Sequence, residues 1–297
     1  MDTQPTRINC PMTWEANLLV AGLLVMILTL GIGAGFFHLP VVLILSFQVF
    51  VIVPGLLWIA VRRLPWRATM RLYPIGWRTA LWSALIGLIC WPIMAGIAVI
   101  IELALSLIGP GPEFPWPTGW LESAIYAAVF IVLAPLTEEP VFRGFVLGAW
   151  LRRGTVPGLI LAGFLFALLH SQLAAIVPLT FLGIALGLLV HRSGSIYSSM
   201  IAHASYNAIA TVFVIFPPLR EIPEWPFVVA AIVLTPLAIL LLWLFARRHP
   251  VCAEEPPPGE RFSWAWSAIS LLPVLAVFGL VALSELVMRL SPDLAGM

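Results

Sequence analysis

Apolar residues fill this chain in long blocks, and the places where polar residues break them mark out its elements. A helix rising 1.5 Å per residue needs about 20 apolar residues to cross a hydrocarbon core about 30 Å thick. The blocks predict nine such crossings, with eight as the alternative count. The first is Leu18 to Phe37, and after a turn at His38-Leu39-Pro40 the second closes near Val61. The third, Thr79 to Leu107, is interrupted by Glu102, and the fourth runs from Leu121 to Trp150. A short fifth, Pro157 to His170, precedes Ala174 to Val190, Ser195 to Phe216, Phe227 to Phe245 and Trp264 to Met288. The predicted fold is an all-α, polytopic transmembrane helix bundle. It forms one membrane-embedded domain over residues 1–297, with core helices in 121–216 and flanking spans in 1–120 and 217–297.

The connecting segments orient these crossings. Loops after spans two, four, six and eight carry five, two, one and three arginines; those after one, three, five and seven carry none, none, none and one. Basic residues favour the cytoplasmic side, which predicts a cytoplasmic N-terminus and an outside C-terminus, with a bacterial inner (plasma) membrane as the expected location. The Pro- and Trp-rich loop GPGPEFPWPTGW reads as a rigid interfacial segment.

Composition agrees with a lipid setting. Hydrophobic residues make up 61% and charged residues 10% of the 297, and the mean hydropathy is +1.05, far from the range of soluble domains. All 15 basic residues are arginine and the net charge is only +1, which argues against a nucleic-acid partner. Cys10, Cys90 and Cys252 are far apart and show no CxxC spacing, against a disulfide framework or thiolate metal site. The first apolar block lacks a basic flank and a small-residue cleavage site, so it reads as a retained helix.

One interruption asks for a functional reason. In APLTEEPVFRGFVLGAW, residues 134–150, Glu138, Glu139 and Arg143 break an otherwise apolar run, and an ionised group near mid-bilayer costs about 2.5–3.5 kcal/mol on the mildest scale. His170, His203 and Asn207 are the other interior polar groups. Counted from the cytoplasmic ends at 1.5 Å per residue, Glu138 lies roughly 18 Å deep, His170 roughly 20 Å, and His203 and Asn207 roughly 12–18 Å, so three helices deliver them to one level. Glu139 and Arg143 are four apart and pair on one helix face. Glu138 points about 100° away and suits a general base. His203 and Asn207, also four apart, face one way as donors for a developing oxyanion, while His170 shares a water with Glu138.

At these residues the chain resembles the CAAX protease and bacteriocin-processing family of intramembrane proteases, which includes the prenyl-protein endoprotease. The motifs are EExxxR at Glu138–Arg143, FxxxH at Phe166–His170 and HxxxN at His203–Asn207, in that order within about residues 121–216. The resemblance implies peptide-bond hydrolysis in the membrane. Glu138 and His170 would activate water, His203 and Asn207 would stabilise the tetrahedral intermediate, and Glu139 and Arg143 would support them. It also raises zinc held by Glu and His, although the asparagine suits a hydrogen-bond donor better than a ligand, and the expectation is no cofactor. The implied partners are the lipid bilayer and a membrane-associated protein or peptide: a prenylated CAAX tail, a leader peptide or a C-terminal sorting tail.

Each residue also has a structural reading. Glu139 and Arg143 could be a helix-locking ion pair, His170 a satisfied interior histidine, and His203 with Asn207 interhelical hydrogen-bond glue. Glu102, Gln48 and Glu285 have no partner motif and read as packing, snorkelling or water contacts. His38, His191 and His249 read as ordinary loop residues, and the tryptophans as interface anchors. Other intramembrane protease classes fail on inventory. The only aspartates are Asp2 and Asp293, no histidine precedes a glutamate as HExxH requires, and Ser193-Gly194-Ser195 lacks the GxSG context. The competing classes are a transporter using the same residues as a proton relay and an inactive scaffold or immunity protein.

Overall fold

A bilayer interior offers no water to backbone amides, so each apolar block must satisfy its own N–H and C=O groups, and it does so as helix. The computed structural model describes residues 11–36, 50–111, 116–249 and 264–291, with backbone alone over 31–36. Nine apolar helices order these residues: α1 Thr13–Phe36, α2 Ile52–Val61, α3 Trp77–Ser106, α4 Trp120–Leu151, α5 Thr155–Leu168, α6 Leu173–Ser193, α7 Ile196–Ile215, α8 Trp225–Arg248 and α9 Trp264–Leu290. Seven are long and apolar enough to cross a membrane, and α2 and α5, of 10 and 14 residues, are the shorter two. The chain is an integral membrane protein of all-α class; seven of the nine expected crossings are long helices, the second and fifth are short among the described residues, and residues 41–49 of the second lie outside them. The expected turn at His38-Leu39-Pro40, Gln48, Cys10, Cys252 and the PPPGE linker lie outside the described residues.

Helix α3 is the spine, with α6, α7 and α8 packed on it, while α5 packs on α6 and α1 on α9. Small residues set the closest approaches. A Cβ on Gly87 of α3 would stand 2.0 Å from the Ala202 carbonyl oxygen of α7, and one on Gly183 of α6 would stand 2.6 Å from Gly163 Cα of α5. In lipid, where apolar burial drives little association, such backbone contact supplies the packing.

Three expectations change. Helix α1 begins at Thr13, five residues before the predicted block, because its polar residues have partners. Glu15 accepts from the Met12 amide at 2.8 Å, as in a capping box, and pairs with Arg62 at 2.7 Å. Asn17 accepts from the indole N–H of Trp150 at 3.1 Å, so this tryptophan is a buried strut and not an interface anchor. Second, Glu102 and Glu285 are not solitary: both close on Arg289, through Nη2 at 2.7 and 2.8 Å respectively. Glu285 also accepts from the Leu173 amide at 2.8 Å, which ties α9 to the first turn of α6. Third, His191 lies within α6, and His249 stacks on Phe245 at 4.2 Å and meets Thr79 Oγ1 at 3.0 Å. Both are built into helix ends; neither is a plain loop residue.

Candidate active site

The site begins with an irregularity in α4. Residues Ala128–Leu133 and Pro140–Val146 are wound as π-helix, flanking the α-helical turn Ala134–Glu139. The wider winding fits the two prolines. Pro135 has no N–H to give, and since the Ala134 amide already bonds Val129 O, the Phe130 carbonyl loses the donor that a π repeat would bring it. Asn207 of α7 takes the vacancy, donating from Nδ2 to Phe130 O at 2.7 Å. The i,i+4 pairing of His203 and Asn207 thus docks α7 on α4, and one amide proton expected for an oxyanion is engaged with the backbone.

Glu138, Glu139 and Arg143 are all buried, Glu139 completely. As the four-residue spacing predicts, Arg143 Nη1 pairs with Glu139 Oε1 at 3.1 Å. The same carboxylate oxygen also meets His203 Nδ1 at 2.8 Å, a link across helices that the motif spacing did not announce. An ionised carboxylate only accepts, so Nδ1 carries the proton and the ring is fixed in orientation. Its other nitrogen, Nε2, then faces Glu138 Oε2 at 4.0 Å.

Aromatic packing brings in the remaining histidine. Phe166 of α5 is fully buried, with the Arg143 guanidinium over its face at 4.2 Å and Phe142 edge-on at 5.3 Å. His170 and His203 both stand edge-on to this ring, at 5.0 and 5.8 Å. His170 lies in the turn just after α5, and its Nδ1 is 3.2 Å from Phe166 O. A carbonyl likewise only accepts, so Nδ1 donates and the Nε2 lone pair is left for a proton. Arg143 Nη2 reaches Gly183 O at 3.5 Å, joining α6 to the cluster.

Glu138, Glu139, Arg143 and His203 therefore form one group, His170 joins it through Phe166, and Asn207 stands as a tether one turn along α7. Among the described residues no three or more His, Cys, Asp and Glu side chains are placed to hold a metal ion. The structural partners that sequence reasoning missed are Phe130, as a backbone acceptor, and Gly183. A proline at 135 inside an apolar span signals a freed carbonyl; nothing in the local sequence marks the second.

Comparison with curated proteins and with solved structures found no match. Residues 120–209, which carry every side chain of this group, match the model of the Rce1-like family, described as Type II CAAX prenyl endopeptidase Rce1-like, so the segment that builds the candidate site of this membrane protein is similar to that family.

Proposed function

We propose that this protein is an intramembrane endopeptidase that hydrolyses a peptide bond of a membrane-associated protein or peptide through a water activated by Glu138 and His170. The single observation that carries the reading is the double use of Glu139. It neutralises Arg143 and holds His203 Nδ1, which leaves Nε2 at 4.0 Å from the Glu138 carboxylate in a buried span.

In this mechanism Glu138 takes a proton from the water as it attacks the scissile carbonyl and returns it to the leaving amine. His170, with Nδ1 on the Phe166 carbonyl, accepts a second hydrogen bond from that water at Nε2. His203, its ring orientation fixed by Glu139, presents Nε2 to the developing oxyanion. The second Nδ2 proton of Asn207 is its contribution to the oxyanion, and Glu139 and Arg143 orient the others. No step is routed through zinc in this reading, in which the Asn207 amide serves as a hydrogen-bond donor and not as a ligand. Activity is accordingly expected to survive dialysis against a strong chelator.

The test uses the purified full-length protein in lipid and a fluorogenic membrane peptide. Glu138→Gln keeps the shape and removes the base, so cleavage should vanish while thermal unfolding stays put. Cleavage at the wild-type rate would refute the proposal. A proton-coupled transporter would instead show Glu138-dependent proton flux with no peptide product.

A further inference from the structure

Outside the family-matched segment, the start of α3 and the end of α8 enclose a cavity of about 620 Å³, lined by Trp77, Arg78, Thr79, Trp82, Arg248 and His249 among others. Its polar lining is cationic or hydrogen-bonding, with no carboxylate. Neither Arg78 nor Arg248 has an ion-pair partner among the described residues; each instead rests over an indole, Arg78 on Trp77 at 5.3 Å and Arg248 on Trp82 at 4.9 Å. Stacking fixes the plane of a guanidinium and leaves its N–H edge for a bidentate acceptor, a geometry that suits phosphate. His249 is held between the Phe245 carbonyl, 3.0 Å from Nδ1, and Thr79 Oγ1, 3.0 Å from Nε2, so the wall between the arginines is ordered.

The surroundings identify the source of the phosphate. Leu81, Leu85 and Leu88, at i, i+4 and i+7 along α3, lead away from the cavity mouth and are each more than 40% exposed. A cationic recess continuous with an exposed leucine track matches a molecule with an anionic head and an acyl tail. Basic pockets between membrane helices, at the end flanked by tryptophan and arginine, are where such headgroups bind.

We infer that the Arg78–Arg248 cavity is a binding site for the phosphate headgroup of an anionic phospholipid, whose chain lies along α3. The site is separate from the Glu138 group and holds lipid whether or not the protein hydrolyses peptides.

The experiment is native mass spectrometry of the full-length protein in mild detergent, with phosphatidylglycerol and phosphatidylcholine of equal chain length as probes and glycerol 3-phosphate as competitor. Wild type should retain phosphatidylglycerol over phosphatidylcholine. Arg78→Gln/Arg248→Gln should weaken that retention roughly 25-fold, or about fivefold for each arginine near the headgroup. Arg63→Gln/Arg67→Gln, which removes two exposed arginines of the preceding loop, should leave retention within about twofold, the contrast that a bulk charge effect would erase. Glycerol 3-phosphate should not displace the lipid. Unchanged retention in the Arg78/Arg248 double variant, equal retention of the two lipids, or displacement by glycerol 3-phosphate would each overturn the inference. Should the double variant not fold, Arg248→Gln alone, at an exposed position, must show its fivefold share.

Discussion

At Arg289 a buried guanidinium is saturated, whereas at His203 a buried imidazole is half used. Arg289 spends Nε on Glu285, Nη1 on Glu102 and the Gly109 carbonyl, and Nη2 on both glutamates. Its partners come from α3, the loop beyond it and α9, so the cluster fastens the last helix to the spine and, through Glu285, to the start of α6. His203 instead gives Nδ1 to Glu139 and turns Nε2 toward Glu138 across 4.0 Å, longer than a hydrogen bond. Both clusters place arginine and two glutamates in an apolar bundle. What separates them is remaining capacity: every donor of Arg289 is engaged, whereas the His203 ring keeps an ordered nitrogen for the proposed chemistry.

Variants on each side can break this contrast. The largest effect is expected at Glu138, where Gln should lower the cleavage rate about 10³-fold or more, within the range assigned to a positioned general base. Glu139→Gln should come next. It takes from buried Arg143 its paired carboxylate, costing about 3 kcal/mol in detergent melts, and it replaces the charge-assisted hold on His203 by a weaker neutral one, cutting turnover about 10²-fold. The double variant Glu139→Gln/Arg143→Gln should recover much of the stability and none of the turnover, because His203 still lacks its carboxylate partner.

Asn207→Ala is the sharpest probe of the boundary between the two kinds of cluster. A tether to the Phe130 carbonyl predicts about 1 kcal/mol of lost stability and only a few-fold change in turnover. A fall of about 10²–10³ in kcat with unchanged melting would make the side chain an oxyanion donor first. The smallest catalytic effect is expected at Arg289→Met, which should lower the melt by about 3 kcal/mol while leaving kcat within a few-fold. A large kcat loss there, with stability intact, would erase the distinction between clamp and site.

How much was legible differs within a single helix pair. Glu139 and Arg143 could be paired from spacing, because 3.6 residues per turn puts i and i+4 on one face in any helix. Glu139 and His203 could not, since their contact depends on how α4 and α7 are rotated and how closely they pack, with Gly87 seating α7 on α3. The expected common depth of the polar groups rested on rise per residue alone, and Glu138, Glu139 and His203 do meet. Depth leaves rotation open, and rotation sends the Asn207 amide to a backbone carbonyl. The Glu102–Arg289 contact joins residues 187 apart, a separation at which no periodicity speaks.

By itself the sequence determined that the chain lives in a membrane as helices, where most of those helices fall, and which few polar residues had to be explained. These follow from local rules: the cost of polar groups in hydrocarbon and the rise and period of a helix. Only the tertiary structure decided which nitrogen of His203 Glu139 holds, that Pro135 frees a carbonyl for Asn207, and that Glu285 and Glu102 share Arg289. Each of those depends on side chains from distant segments competing for the few partners a dry interior provides, and that competition is settled only when the helices pack.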